Sequence, residues 1–320
     1  MVTESLQSRG YLPVATATLV PSSMLGCDLF VQRPGRTYAE LWRGSTYPLE
    51  AADIAGLEAS GIDHLYVRAE AAKAYGDYLR QHVLHNKDVS PKARMQALRE
   101  VTRVAFQEAL VANDCDRMVN LANSFGGDMA IVLAYRSVAF RELFTMLEHD
   151  YYLFTHACNV SVYCAILASK LGTCDVNQLG MLVAGGLLHD IGKRHIPLQV
   201  LNKLNELTEK EWELIRKHPH TGFQEVAARG DMLWGQLMMI YQHHERLDGS
   251  GYPAGIPAEE IHPWAKICMV ADVFDAMTCQ RPYRRPLPPA EACNYLKKYA
   301  GIWFDAEVVD CWSSHVASAT

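Results

Sequence analysis

The spacing of hydrophobic positions divides the chain into a short strand-rich part and a long helical part. Near the N-terminus, Tyr11 to Val20 and Asp28 to Gln32 carry strand-type residues, and Gly26 and Pro34-Gly35 bound the second run. Thr37 to Trp42 predicts a third strand and His64 to Val67 another. Leu49, Ile54 and Leu57 recur at helical spacing over 49–59, and Gly61 ends that helix.

From Ser90 the pattern is helical. Serine before Pro91 suits an N-cap followed by the first helical position. Residues 90–147 are expected to form two or three helices, broken near Asp114 and around Gly126-Gly127. From about 148 the helical pattern continues, interrupted by polar loops from Arg246 to Ile261 and from Gln280 to Pro289. The expected fold class is mainly α. An all-helical domain at 148–320 follows a small α/β domain at 1–85, with a helical linker at 86–147.

Composition narrows the function classes. With 49% hydrophobic and 21% charged residues, the chain reads as a folded globular protein. The cleanest apolar stretch, Leu179 to Leu188, is too short to cross a bilayer, so no membrane insertion is expected. No basic segment followed by an apolar core marks a secretion signal. Nine cysteines, an odd number with no CxxC pair, suit reduced thiols in the cytoplasm, each packed as a small core hydrophobe. The net charge is −6 and there is no basic stripe, which excludes long nucleic acid as a partner. An anionic substrate would therefore need a local positive site, and bound metal ions are the strongest source of one.

Chemistry concentrates in the second half. Of thirteen histidines, five join two aspartates in an ordered series: His156, His189-Asp190, His218, His243-His244 and Asp272. Imidazoles with carboxylates suit Fe, Mn, Ni or Zn. Seven ligands are too many for one ordinary site and suit a pair of divalent metals, with Asp190 the natural bridge. His189-Asp190 ends the apolar run 179–188, and His243-His244 ends the run Met232 to Tyr241. Adjacent helical residues point about 100° apart, so each pair reaches one site only if that site lies at the helix end. Thr208 to Glu211 has a capping-box pattern that opens a helix before His218, and Pro219 is expected to disrupt or kink the chain there. Asp272 lies in the apolar run Ile267 to Phe274, where a buried carboxylate needs a partner.

Leu187 to Lys193 resembles the core motif of the HD phosphohydrolase superfamily. His243 to Pro253 resembles, without a gap, the second motif of its HD-GYP family. Asp272 to Thr278, Arg281 to Arg284, Ile196-Pro197, and His218-Pro219 with Gly222 extend the resemblance over about 148–315. It implies a metal-dependent phosphodiesterase hydrolysing cyclic di-GMP to pGpG and in some members on to GMP; the alternatives are a hydrolase of another cyclic dinucleotide and a catalytically silent sensor or scaffold. By the same resemblance, His156, His189, Asp190 and Asp272 would hold one metal. His218, His243 and His244 would hold the other, with Asp190 bridging. Lys193, Arg281 and Arg284 would contact phosphate, and Tyr252 would lie in the loop beside the substrate. Three candidates stay open for protonating the leaving oxygen: Lys193, His195 and a metal-bound water. Some members carry a third-metal glutamate four residues before the first histidine. Here that position is Tyr152, so two metals are expected. A homodimer or a signalling-protein partner for the N-terminal domain is an expectation from its position alone.

Overall fold

The computed structural model describes residues 10–134 and 153–319, apart from 34, 35, 37, 85, 202, 204 and 280–284. The chain divides into two compact units, 1–105 and 106–320.

The first unit is built on a four-stranded antiparallel sheet of order β1-β4-β2-β3. Its strands are β1 (Tyr11–Ala15), β2 (Leu29–Val31), β3 (Glu40–Arg43) and β4 (His64–Arg68). β1 pairs with β4 from Tyr11↔Arg68 to Ala15↔His64, and Phe30 of β2 faces Tyr66 of β4. Alternation along β4 buries Leu65 and Val67. Helix α1 (Ala51–Ala59) matches the predicted one, and Gly61 follows it at φ +66°. Helix α2 (Ala72–His82) lies in a stretch the sequence reading leaves unassigned. It buries Tyr75, Tyr78 and Leu79, and the Val20 N–H donates to the Tyr78 hydroxyl at 2.8 Å.

Helix α3 (Pro91–Val111) starts where Ser90 caps it, with the Ala93 N–H donating to Ser90 Oγ at 3.2 Å. Helix α4 (Cys115–Ala134) follows the expected break near Asp114, but it runs straight through Gly126-Gly127. The second expected break is therefore corrected. Glycine at 126 serves packing: a Cβ there would lie 2.0 Å from the carbonyl oxygen of Gly180 on the neighbouring helix α6 (Val176–Leu188).

The second unit buries helix α5 (Leu153–Leu171) along nearly its whole described length, from Phe154 to Ala168. A helix buried on every face belongs in the middle of a bundle, and the polar side chains it buries, His156 among them, need partners there. α6 packs on α5, and so does helix α11 (Pro263–Thr278). Around them lie α7 (Leu198–Leu201), α8 (Glu209–Arg216), α9 (His218–Val226), α10 (Trp234–Gln242), α12 (Pro289–Lys298) and α13 (Ala306–Ala319). The capping box at Thr208 and Glu211 opens α8 as expected. Pro219 does not break a helix. It lies in the first turn of α9, where its missing N–H costs nothing, and Lys217 alone separates α8 from α9.

None of the nine cysteines is in a disulfide. Six are buried, whereas Cys115, Cys174 and Cys311 are half-exposed rather than packed as core hydrophobes. Among the described residues, no helix is long and apolar enough to cross a membrane.

Candidate metal centre

Five helices deliver the seven residues of the sequence series. His156 sits in α5 and Asp272 in α11, both facing inward and buried. His189 and Asp190 follow the last residue of α6, His218 opens α9, and His243 and His244 follow α10. The pairs that close apolar helices therefore do point off helix ends. Gly192 makes one of these junctions. A Cβ there would lie 2.1 Å from the His218 carbonyl oxygen, so glycine lets the turn after Asp190 press against the start of α9.

The donor atoms fall into two groups, each mutually within 4.8 Å: Asp190 with His218, His243 and His244, and His156 with His189 and Asp272. Asp190 links them. Its Oδ1 is 3.1 Å from His218 Nε2 and 3.6 Å from His243 Nε2, and its Oδ2 is 3.4 Å from His189 Nε2 and 3.7 Å from His156 Nε2. Asp272 Oδ1 lies 3.1 Å from His156 Nε2.

The ring nitrogens indicate what such a cluster accepts. Nδ1 of His189 donates to the Gly186 carbonyl at 2.7 Å, Nδ1 of His218 to Ile215 at 2.7 Å, and Nδ1 of His243 to Met239 at 3.0 Å. In a neutral ring so held, Nε2 keeps its lone pair. Those lone pairs face Asp190 and one another, with His218 Nε2 only 3.1 Å from His243 Nε2. Buried His189 Nε2 faces Asp190 Oδ2, and buried Asp190 Oδ1 faces the Nε2 atoms of His218 and His243. Acceptors crowded together in a buried site are costly unless a cation lies among them. The residues thus fit divalent metal ions.

Electrostatics split the histidines the same way. Burial pushes His156 and His189 down, but neighbouring carboxylates outweigh it and raise both to about 9. Burial holds His243 down at about 4 and lowers His218 and His244 as well. Burial works against the Asp190 and Asp272 carboxylates, yet Lys193 and the imidazoles hold Asp190 well below the ordinary range, and His156 does the same for Asp272.

Lys193 Nζ donates to Asp190 Oδ2 at 2.6 Å, which puts an ammonium at the rim of the cluster. His195 is turned to α9 instead, with Nε2 3.0 Å from Glu225 Oε2. Tyr252 stacks on His244, ring centroids 4.7 Å apart, so its ring covers a ligand candidate. Its loop is fixed from within: buried Glu245 accepts the N–H groups of Ala254 at 2.8 Å and Gly255 at 3.1 Å, and Trp303 Nε1 donates to Asp248 at 3.1 Å. Arg281, Arg284 and Tyr152 lie outside the described residues.

Sequence reasoning missed Asp275. It is fully buried on α11, and its Oδ2 accepts from His156 Nδ1 at 2.7 Å. Its position three residues after Asp272 on an apolar helix was the available signal.

Residues 141–308 match the family described as HD domain. The chain belongs to the HD domain family. This bears out the resemblance carried by 187–193 and 243–253. The chain is 29% identical over 314 residues to the cyclic di-GMP phosphodiesterase PA4108 of Pseudomonas aeruginosa, which covers 90% of this chain and 74% of that protein. It is 37% identical over 149 residues to a 3'3'-cGAMP-specific phosphodiesterase of Vibrio cholerae, covering 46% of this chain and 33% of that protein. In fold it is similar to Bd1817 of Bdellovibrio bacteriovorus, an HD-GYP-type protein, with TM-score 0.68 and 20% identity over 96% of this chain and 99% of that one. HD domains imply divalent metal, in keeping with the His and Asp groups here.

Proposed function

We propose that this HD-domain chain is a metal-dependent phosphodiesterase that hydrolyses cyclic di-GMP to linear pGpG. The observation that carries the reading is the pair of His/Asp groups sharing Asp190, with imidazole lone pairs turned inward. In this reading His156, His189 and Asp272 hold one metal, His218, His243 and His244 hold the other, and Asp190 serves both. Fe or Mn suits this mixed nitrogen and oxygen set best, with Ni or Zn as alternatives. A pair of divalent ions lowers the pKa of water and offsets charge on phosphoryl oxygens.

The protein's own groups do the rest. Lys193, one turn beyond Asp190, supplies a movable positive charge for a substrate phosphate. Arg281 and Arg284 add planar forks that match phosphate oxygens. Tyr252 offers a half-buried ring beside His244 against which a nucleobase can pack. The bond broken is between phosphorus and a ribose oxygen, and the proton for that oxygen comes from Lys193 or from water. His195, engaged with Glu225, is the weaker candidate.

Residues 148–320 then form the catalytic domain, 86–147 the link, and 1–85 a regulatory unit. Nine cysteines, none of them in a disulfide, support action in the cytoplasm. The substrate rests on the relative that matches nine-tenths of the chain. Chromatography of cyclic di-GMP and 3'3'-cGAMP, each incubated with manganese-loaded protein, tests it. Linear pGpG from cyclic di-GMP at the higher rate is expected. Faster cleavage of 3'3'-cGAMP would reassign the substrate, and binding without cleavage would make the chain a sensor.

A further inference from the structure

Four of the five histidines of the centre are held in two different ways. His189, His218 and His243 donate Nδ1–H to neutral backbone carbonyls three or four residues before them in the chain. His156 donates instead to a carboxylate, Asp275 Oδ2, at 2.7 Å. Asp275 is fixed from its far side. Asn159 Nδ2 donates to Oδ1 at 2.9 Å, and the Cys279 thiol lies 3.2 Å from both oxygens. All of these groups are buried, so water does little to screen the charge. A carboxylate behind a ligating imidazole fixes the ring and makes it a stronger donor, an effect worth about 10–100-fold in metal affinity.

Charge adds to geometry. The group around His156 includes Asp272, has Asp275 directly behind it, and shares Asp190. The group around His218 has Asp190 as its carboxylate donor and is otherwise imidazole. We propose that Asp275 is a positioning residue that makes the His156–His189–Asp272 position the tighter of the two metal sites, so that the sites fill in order. The other position is then the exchangeable one. This rests on the two-metal reading.

Manganese titration of metal-stripped protein, followed by the spectroscopic signal of the free ion, tests the proposal without reference to turnover. Wild-type protein should take up two equivalents, the first at least about 10-fold tighter than the second. Asp275→Asn keeps the shape but removes the charge. It should lose the tight step by about 10–100-fold and leave the weak step unchanged. Two equivalents bound by Asp275→Asn with wild-type affinities would overturn the proposal. If that variant does not fold, His218→Ala and His156→Ala isolate the two positions. His218→Ala should hold its one manganese at least about 10-fold more tightly than His156→Ala, and equal affinities would overturn the proposal. Wild-type protein that binds no manganese, or one equivalent only, would overturn the two-metal reading itself.

Discussion

The Lys193 ammonium lies 2.6 Å from Oδ2 of Asp190, the oxygen that also faces His189 and His156. Cations at Asp190 would compete with this ion pair and turn Lys193 toward the substrate. Lys193→Met should therefore lower kcat by about 100-fold or more, the cost typical of removing one group that stabilises transition-state charge. Metal content should stay at the wild-type value. Parallel kinetics and elemental analysis check this, and a variant that loses its metal would assign Lys193 to the metal site instead.

Asp190→Ala removes the carboxylate that serves both groups. It should lose most of its metal and all detectable hydrolysis, while circular dichroism still reports the helical fold. Wild-type turnover would falsify the bridging assignment.

The pH dependence of the metal-free protein follows from opposed histidines. His156 and His189, raised to about 9, add stability below their unfolded value of roughly 6.5, and it is lost as pH rises through about 9. His243, lowered to about 4, works in the other direction: the unfolded chain gains a proton below roughly pH 6.5 that the buried ring resists. The melting temperature of stripped protein should therefore peak near pH 6.5 and fall toward both 4 and 9. Manganese affinity should rise from pH 6.5 to 9 as protons leave His156 and His189. A melting temperature that climbs steadily through pH 9 would contradict these assignments.

Much of this centre was legible because its ligands close apolar helices. His189-Asp190 and His243-His244 interrupt hydrophobic runs, a pattern that a pure core helix has no reason to carry. The fold was less legible where packing overrode local preference. Glycine costs about 1 kcal/mol in a helix interior, which suggested a break at Gly126, yet α4 needs that glycine to approach Gly180. Pro219 suggested disruption because proline removes a backbone donor, yet in the first turn of α9 that donor is not needed. Helix α2 was hidden by Gly76 and by tyrosines that also suit strands. Asp275 stayed hidden because its partner His156 is 119 positions away in sequence.

The product depends on charge near the substrate. Cutting pGpG means holding an additional terminal phosphate charge, and Tyr152 offers no carboxylate for a third metal. pGpG should accumulate, with GMP forming slowly or not at all. Time-resolved chromatography checks this: GMP without a pGpG build-up would refute the role given to Tyr152. Tyr152→Glu should bind more metal and release more GMP.

The central claim is that two metals on these seven residues make the chain a cyclic di-GMP phosphodiesterase. The most direct measurement is the initial rate of cyclic di-GMP hydrolysis as manganese is added stepwise to metal-stripped protein. The rate should stay near zero through the first equivalent, rise during the second and level off at two. Full activity at one equivalent, or no hydrolysis once two are bound, would contradict the account.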